Sequence, residues 1–427
     1  MDLIVRNARL RGWETLQDVA VGGGKVVEIG AVQGRARHEI DVEGRLLTAS
    51  FVNPHVHLDK ALLAERMRPN RSGTLEEAVE ITHEFKRHYT IADVKARAAR
   101  VLEMAVATGT TLVRGFADVD GIGGLTGLQA LLELKREYAD LVDLQVVAFP
   151  QEGLIRHPDA RDLLGEALEL GADVLGGFPW FEYLDDQARA HIDAIFELAR
   201  RHDRPIHMLV DDAPEDPTTR NLEYLALRTI AEGWQGRVCA SHACALSSYN
   251  DYHARRVITL VRQAGISVVT NPHISLILKN RGDHQPIPRG ITRVKELLAA
   301  GVNVVFGQDD VLDPFYPFGR ADMLEVASFT AHAAHLSLPE EIERVWDMAT
   351  EHAAHALGVA DHRLGVGLPA NLVVVDAPTV VEALRRQGPR RLVIRSGRVV
   401  FESRTESRLL RAANPEPATG RAAREAR

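Results

Sequence analysis

The chain has few cysteines, lacks any long apolar run, and carries no excess of positive charge. Its two cysteines, Cys239 and Cys244, are too few for a disulfide framework, and we expect both to be small apolar packing residues. No segment approaches the ~20 apolar residues that a membrane-spanning helix needs, and the first residues do not resemble a signal peptide. The net charge of −8 leaves no basic stripe for nucleic acid. These absences predict a cytoplasmic protein that binds neither membranes nor nucleic acid.

What the chain does have is length, with 427 residues of which 45% are hydrophobic, enough for one large core and a smaller one. Short alternating strands near both ends predict a small β-sandwich domain made from residues 1–48 and 366–403. Residues 49–365 alternate strands with amphipathic helices, which predicts a (β/α)8 barrel of the TIM type in the α/β class. The composition of residues 404–427 predicts a disordered tail. The expected barrel strands are Leu47–Val52, Thr111–Phe116, Leu144–Phe149, Asp173–Phe178, Pro205–Val210, Val238–Ser241, Ser267–Asn271 and Val302–Gly307.

Histidine and aspartate occur at the ends of several of these strands. His55 and His57 follow the first strand, His207 and His242 belong to the fifth and sixth, and Asp309 follows the eighth. Because the carboxyl ends of parallel strands meet at the mouth of a barrel, these side chains are expected to converge. Three imidazoles and a carboxylate with one open position are typical of a catalytic metal site. We therefore predict that His55, His57, His207 and Asp309 bind one divalent ion.

The role of His242 stays open between a further metal ligand and a group that contacts the attacking water. The expected fourth strand ends in Leu175-Gly-Gly-Phe-Pro, which contains no Lys, Glu or Cys to bridge a second ion. A single ion is therefore expected, which leaves His242 for catalysis.

Other polar and aromatic residues are predicted at the same end of the barrel. Gln151 follows the third strand, and its amide offers both a donor and an acceptor to a planar ring, although a simple loop hydrogen bond is the alternative. Asp310 is expected to hold a substrate N–H. Phe315, followed by Tyr316, is expected either to stack on a flat substrate or to belong to a rigid loop.

The motifs of the chain resemble those of the amidohydrolase superfamily, and within it those of the bacterial cytosine deaminase group. The resemblance covers nearly the whole chain up to Gly397. The likeness implies that His55, His57, His207 and Asp309 bind one Zn or Fe ion. It also implies that His242 polarises the attacking hydroxide, that Gln151 grips the amide edge of the ring, and that Asp310 contacts it. The matching phrases are Pro54-His-Val-His-Leu-Asp, Ser72-Gly-Thr-Leu, Leu144-Gln-Val-Val-Ala-Phe-Pro-Gln-Glu-Gly, Gly171-Ala-Asp-Val, Ser241-His, Ser248-Tyr-Asn, Gly290-Ile-Thr-Arg-Val-Lys-Glu and Asp309-Asp-Val-x-Asp-Pro-x-Tyr-Pro.

The chain departs from that group at the residue that moves the proton. Cytosine deaminases carry a glutamate three residues after the histidine of the fifth strand, and here that position is Val210. Asp211, Asp212 and Lys60 are the candidate replacement acids, with no order among them. The phrase His57-Leu-Asp-Lys is also similar to the N-isopropylammelide amidohydrolases, which remove an alkylamine from a triazine ring and lack the same glutamate.

The predicted function is hydrolysis of a C–N bond in a planar nitrogen heterocycle, by a cytosine-deaminase-like deaminase that releases ammonia. Asp309 is expected to take the proton of the attacking water, and one of the candidate acids to protonate the leaving amine. One alternative is hydrolysis of an N-alkyl substituent or ring amide of a triazine-like or pyrimidine-like compound. The other is a homologue that binds metal and ligand without turnover. The partner is a small heterocyclic substrate, and a homo-oligomer is expected.

Overall fold

The structure is a computed structural model, and it describes residues 1–285, 287–406 and 408–409. Residues 407 and 410–427 of the predicted tail lie outside the described residues. The strands are β1 (Leu3–Ala8), β2 (Gln17–Gly22), β3 (Lys25–Gly30), β4 (His38–Asp41), β5 (Leu46–Ala49), β6 (Phe51–His57), β7 (Thr110–Asp118), β8 (Asp143–Phe149), β9 (Val174–Gly177), β10 (Ile206–Val210), β11 (Val238–His242), β12 (Ser267–Thr270), β13 (Val304–Phe306), β14 (Leu372–Val375), β15 (Arg390–Arg395) and β16 (Arg398–Glu402).

Helices follow most of the central strands. They are α1 (Leu75–Lys86), α2 (Ile91–Ala107), α3 (Thr126–Glu137), α4 (Asp159–Leu170), α5 (Asp185–His202), α6 (Asn221–Ala231), α7 (Asp251–Gln263), α8 (Pro272–Leu278), α9 (Val294–Ala299), α10 (Met323–Ala333), α11 (Pro339–Met348), α12 (Glu351–Ala356) and α13 (Val380–Arg386). Several of them begin at side-chain caps, as where Thr90 accepts a hydrogen bond from the Asp93 N–H at the start of α2. None of the helices described is long and apolar enough to cross a membrane.

Strands β6 to β13 form one parallel sheet in sequence order, as the predicted barrel requires. The ring closes between its first and last strands through the backbone of Asp309, whose N–H donates to the His55 carbonyl at 2.8 Å. Its carbonyl accepts from the His57 N–H at 2.9 Å. The closure therefore brings three predicted metal ligands, His55, His57 and Asp309, onto neighbouring segments whose backbones are hydrogen-bonded to each other. The predicted (β/α)8 fold is confirmed.

Both chain ends contribute to two further four-stranded sheets, with the orders β3-β2-β1-β4 and β16-β15-β14-β5. Their facing side chains, such as Val5, Val19, Val374 and Ile394, share one buried apolar cluster, which makes them a small sandwich. The predicted strand Leu47–Val52 is wrong as a single element. Its first half belongs to β5, which pairs with β14, while the first barrel strand begins at Phe51 and contains both histidines.

The main core lies between the outer face of the barrel strands and the surrounding helices. Side chains alternate along a strand, so β10 sends Met208 and Val210 into this core and His207 and Leu209 towards the barrel interior. This alternation decides which residues of the fifth barrel strand reach the site.

Candidate active site

Three donor atoms converge at the carboxyl end of β6. The Nε2 atoms of His55 and His57 lie 3.3 Å apart, and each lies 3.4 Å from Asp309 Oδ1. Ligands at ~2.0–2.1 Å from a tetrahedral metal ion are separated by about 3.3–3.4 Å, so this triangle matches one face of such a site. All three side chains are buried. The second oxygen, Asp309 Oδ2, has no hydrogen-bond partner within the described part of the chain.

The protonation of these groups also suits a cation. Burial lowers the pKa of His55 to about 3 and holds the pKa of His57 well below its usual value, so both imidazoles are neutral. Burial raises the pKa of Asp309 to about 6, with a further contribution from Asp212. Neutral imidazoles and a carboxylate are the forms that bind a divalent ion, and the ion's charge would compensate the buried carboxylate.

His207 lies beside this triangle and contacts it through a serine. Its Nε2 is 2.7 Å from Ser241 Oγ, which is also 2.7 Å from His55 Nδ1, and the His55 and His207 rings are 5.4 Å apart. The buried Arg114 places Nη1 3.3 Å from the other ring nitrogen of His207. The structure thus places His207 next to the predicted centre with its Nε2 turned to Ser241, and its role as a fourth ligand stays a prediction.

A further histidine lies close to the triangle, since donor atoms of His55, His242 and Asp309 are all within 4.8 Å of one another. His242 ends β11, and its Nδ1 lies 3.1 Å from Asp212 Oδ1, while its Nε2 faces Asp309 Oδ2 at 3.6 Å. The other Asp212 oxygen accepts from Lys279 Nζ at 2.7 Å. Burial lowers the pKa of His242, although the two aspartates oppose that effect. Burial would lower the pKa of Lys279 too, but Asp212 more than offsets this and the pKa is raised.

Of the two adjacent aspartates, the structure brings only Asp212 to the cavity. Asp211 adopts a left-handed backbone conformation and turns its carboxylate away, where it accepts from the backbone N–H groups of Asn221 and Leu222 and from the Thr219 hydroxyl. These bonds cap the start of α6. Asp211 is therefore corrected from a candidate acid to a helix-capping residue.

The position expected to carry the glutamate does not face the cavity either. Val210 is fully buried in the main core, and its inward-facing neighbour on β10 is Leu209. A proton carrier in this chain must therefore come from another position, and Asp212 is the carboxylate that reaches the cavity from the same loop.

Lys60 and Gln151 also line the cavity. Lys60 Nζ donates to Gln151 Oε1 at 2.8 Å and to Asp118 Oδ1 at 3.2 Å, and it lies 5.4 Å from the centre of the Phe315 ring. Burial would lower the pKa of Lys60, but Asp118 and other carboxylates outweigh it and raise the pKa. A lysine that holds its proton firmly is a weak general acid, and the role of Lys60 in proton transfer stays a prediction.

The cavity is lined by apolar and by polar side chains. Phe315 and Asp310 both line it, and Asp310 Oδ1 has no hydrogen-bond partner among the described residues. Whether Phe315 stacks on a substrate stays a prediction. Burial, together with Asp309, holds the pKa of Asp310 well above its usual value. The sequence interpretation missed Lys279, Asp118 and Lys86. The full lining is Leu75, Phe178, Leu209, Ile274, Leu278 and Phe315 on the apolar side, and His57, Lys60, Gln151, Asp212, His242, Lys279, Asp309 and Asp310 on the polar side.

A barrel with this cluster at its carboxyl end is the arrangement of a metal-dependent hydrolase. Residues 72–401 match the Amidohydrolase family, and the chain belongs to that family. It superposes with a TM-score of 0.91 on 5-methylcytosine deaminase from Klebsiella pneumoniae, solved with 5-fluorocytosine, at 38% identity over 95% of this chain and 99% of that one.

Two curated relatives are similar along most of their length. One is the N-isopropylammelide isopropyl amidohydrolase of Pseudomonas sp. (strain ADP), 29% identical over 94% of this chain and 97% of the relative. The other is the pterin deaminase of Rhizobium rhizogenes, which is 30% identical over 92% of this chain and 90% of the relative. The predictions of the amidohydrolase superfamily and of a hydrolase acting on C–N bonds of nitrogen heterocycles are confirmed.

Proposed function

We propose that this chain is a hydrolytic deaminase that releases ammonia from a cytosine-like aminopyrimidine and uses one divalent ion, Zn or Fe. The observation that carries the proposal is the triangle of His55, His57 and Asp309 donor atoms, of which His57 and Asp309 line the cavity. The 38% identity to a 5-methylcytosine deaminase supports the choice of ring.

His55, His57 and Asp309 would hold the ion, with His207 as the fourth ligand. Such an ion, when bound, supplies Lewis acidity and lowers the pKa of a water molecule towards neutrality. The donor set of imidazole and carboxylate groups fits Zn or Fe better than Mg or Ca, which prefer all-oxygen sites.

The proton path follows the polar floor of the cavity. Asp309 Oδ2, which is buried and has no hydrogen-bond partner among the described residues, accepts a proton from the attacking water. His242 Nε2, 3.6 Å away, receives that proton from Asp309 and passes it to the leaving nitrogen. Asp212 Oδ1 lies 3.1 Å from Nδ1 of the same ring, so its negative charge would stabilise the imidazolium that forms during the transfer. Lys279 in turn holds Asp212 in position through the hydrogen bond of 2.7 Å from its Nζ atom.

The apolar side chains of the cavity would orient the ring. Phe315 and Phe178 line it together with Leu209, which suits a planar heterocycle lying between apolar surfaces. Gln151 and Asp310, which also line the cavity, would contact the polar edges of the ring.

A second candidate, removal of an N-alkyl group, is favoured by one observation. The chain shares the His57-Leu-Asp-Lys phrase with N-isopropylammelide amidohydrolases, and one such enzyme is 29% identical over 97% of its length. In that reaction the same cavity would release an alkylamine instead of ammonia.

A product assay separates the candidates. The purified chain, loaded with Zn or Fe, is incubated with cytosine, 5-methylcytosine, pterin and N-isopropylammelide, while ammonia and isopropylamine are measured separately. We expect ammonia from the pyrimidines. Isopropylamine alone would favour the second candidate, and no product from any ring would contradict both. Asp309→Asn, purified identically, controls for contaminating host deaminases.

A further inference from the structure

Two groups of possible metal ligands share the His242 ring. One group, His55, His242 and Asp309, belongs to the proposed metal centre. The other consists of Asp212, His242 and Cys244, whose donor atoms also lie within 4.8 Å of one another. The ring presents Nε2 to Asp309 and Nδ1 to Asp212, so the two groups use different nitrogens of one imidazole. The proposed reaction gives no role to the cysteine of the second group.

The backbone after β11 brings Cys244 beside His242. His242 and Ala243 have positive φ angles of 67° and 50°, so the chain turns sharply where the strand ends. The Ala245 N–H donates to the Asp211 carbonyl at 2.9 Å, which ties this turn to the loop after β10. The thiol is thereby held next to the carboxylate of the residue that follows Asp211.

The distances within the second group suit a zinc ion. Asp212 Oδ1 lies 3.1 Å from His242 Nδ1 and 3.9 Å from Cys244 Sγ. Zinc binds nitrogen and oxygen at ~2.0–2.2 Å and sulfur at ~2.3 Å, which in a tetrahedral site separates nitrogen from oxygen by about 3.3–3.4 Å and sulfur from oxygen by about 3.5 Å. Small shifts of the three buried side chains would therefore provide three ligands of such a site.

The hydrogen bonds around the group leave its donor atoms available. His242 Nδ1 is buried and makes no hydrogen bond within the described part of the chain, despite its closeness to Asp212. Lys279 donates to Asp212 Oδ2, so the other oxygen remains for the group. A buried polar atom without a partner calls for an explanation, and a bound ion at Nδ1 would supply one.

We propose that Asp212, the Nδ1 atom of His242 and Cys244 form a second, weaker zinc site, through which excess zinc inhibits the enzyme. Thiolate and imidazole ligands select zinc over magnesium and calcium, which prefer oxygen ligands.

Two features make this site weaker than the first. Burial raises the pKa of the Cys244 thiol, so the ion has to displace a firmly held proton, which leaves to the solvent. The ammonium of Lys279, 2.7 Å from Asp212 Oδ2, opposes the charge of the ion. The second ion should therefore be lost on dialysis while the first is retained.

Inhibition follows from the chemistry of the shared ring. Zinc on Nδ1 occupies the lone pair of that nitrogen, so the neutral ring carries its hydrogen on Nε2 and cannot accept another proton. His242 would then be unable to receive the proton from Asp309, and turnover should fall by roughly 10²-fold or more. The inhibition rests on the proposed function, whereas the binding of the ion does not.

Cobalt gives a direct test of the second site. Protein that holds one zinc ion per chain is titrated with Co²⁺, and binding is followed by absorption and by equilibrium dialysis. A thiolate ligand produces an intense near-ultraviolet charge-transfer band, which imidazole and carboxylate ligands do not. We expect this band to grow in and to saturate as a second ion binds.

The two cysteines provide a matched pair of variants. Cys244→Ala should lose the band and bind the second ion more than about 100-fold more weakly, since even the loss of an outer contact costs about 10–100-fold in metal affinity. Cys244→Ser, which keeps the size of the side chain, should also lose the band. Cys239→Ala is the control, because Cys239 is equally buried on β11 but contacts the Ala356 carbonyl instead, and it should keep the band.

Turnover with and without excess zinc is compared within each variant. The wild type and Cys239→Ala should be inhibited, and Cys244→Ala should show a ratio near one. A wild type without a second ion, or a band that survives in Cys244→Ala, would overturn the site. A second ion that leaves turnover unchanged, or inhibition that persists in Cys244→Ala, would overturn its inhibitory role. If the band appears in a protein that deaminates no ring, the proposed function fails and the second zinc site stands.

Discussion

The position three residues after His207 offers a sharp test of which side chains of β10 reach the cavity. Val210 is fully buried in the main core. Its replacement by glutamate forfeits the burial of a valine, about 1.5–3 kcal/mol, and leaves a neutral carboxyl group without partners, about 1–3 kcal/mol. We therefore expect Val210→Glu to lower the free energy of unfolding by about 2.5–6 kcal/mol near pH 5.

The destabilisation caused by Val210→Glu should become larger as the pH rises. Burial would raise the pKa of the new glutamate in the folded state above its value of about 4.3 in the unfolded chain. Between those two pKa values the unfolded state releases a proton that the folded state keeps. The free energy of unfolding therefore falls by about 1.4 kcal/mol per pH unit in that window. Raising the pH from about 5.5 to about 8 should cost roughly a further 3 kcal/mol, provided that the folded pKa exceeds 8.

Thermal unfolding at the two pH values measures this effect against two controls. Val210→Gln carries no titratable group, so its deficit should not change with pH. Leu209→Glu places the carboxylate at the cavity instead, so it should destabilise less than Val210→Glu while abolishing turnover. The reasoning would be refuted by a Val210→Glu variant that melts like the wild type at both pH values, or that gains cytosine deamination with its native activity intact.

Three further predictions concern the proposed metal ligands and the two residues of the proposed proton path, His242 and Asp212. Purified protein should contain about one transition-metal ion per chain by elemental analysis, and His57→Ala and Asp309→Ala should lose most of it, whereas two tightly bound ions would contradict the single centre. His242→Asn should keep its metal and lower kcat by roughly 10²–10⁴-fold, and loss of metal there would make His242 a ligand instead. Asp212→Asn should also retain metal and lower kcat with little change in KM, because it acts through His242; an unchanged kcat would remove it from the proton path.

The barrel could be predicted because its strands are short apolar runs at regular intervals, separated by amphipathic helices. The error at Leu47–Val52 has a local cause. Leu46–Ala49 and Phe51–His57 are both buried strands with Ser50 as the single residue between them. Only their partners, β14 for one and β7 for the other, show that the two belong to different sheets. β5 and β14 are more than 300 residues apart in the sequence, so their pairing cannot be predicted from the local sequence pattern.

The site was predictable where residue type and strand end coincide, as at His55, His57 and Asp309. Lys86 could not be found in this way because it lies at the end of a helix, where a lysine ordinarily faces solvent. Lys279 follows α8 in a loop that carries no motif of its own. Both are identified only by the buried carboxylates they meet, Asp118 and Asp212, and that meeting depends on the tertiary fold.

The Asp211–Asp212 pair shows the limit of strand alternation as a guide. Strict alternation from His207 would send residues 209 and 211 inward, which favours Asp211 over Asp212. The strand ends at Val210, however, and Asp211 takes a positive φ of 47°, so the period is lost at that residue. The chain gains a cap for α6 from Asp211 and a partner for His242 from Asp212.

The backbone of Asp309 takes part in barrel closure, and its side chain is the part expected to bind the metal ion. A change of side chain can therefore abolish the chemistry without preventing the barrel from closing. The backbone of Asp309 bonds to His55 and His57 and joins the last strand to the first, whereas its side chain supplies a donor atom and the unpaired Oδ2. A substitution at this position removes the carboxylate and leaves the closing hydrogen bonds available. Because the φ of 63° at Asp309 lies in the left-handed region, asparagine is a suitable replacement, since it keeps the shape of the side chain and tolerates this backbone better than most residues. Asp309→Asn should therefore fold and close its barrel without activity, which makes it the appropriate inactive control for every assay above.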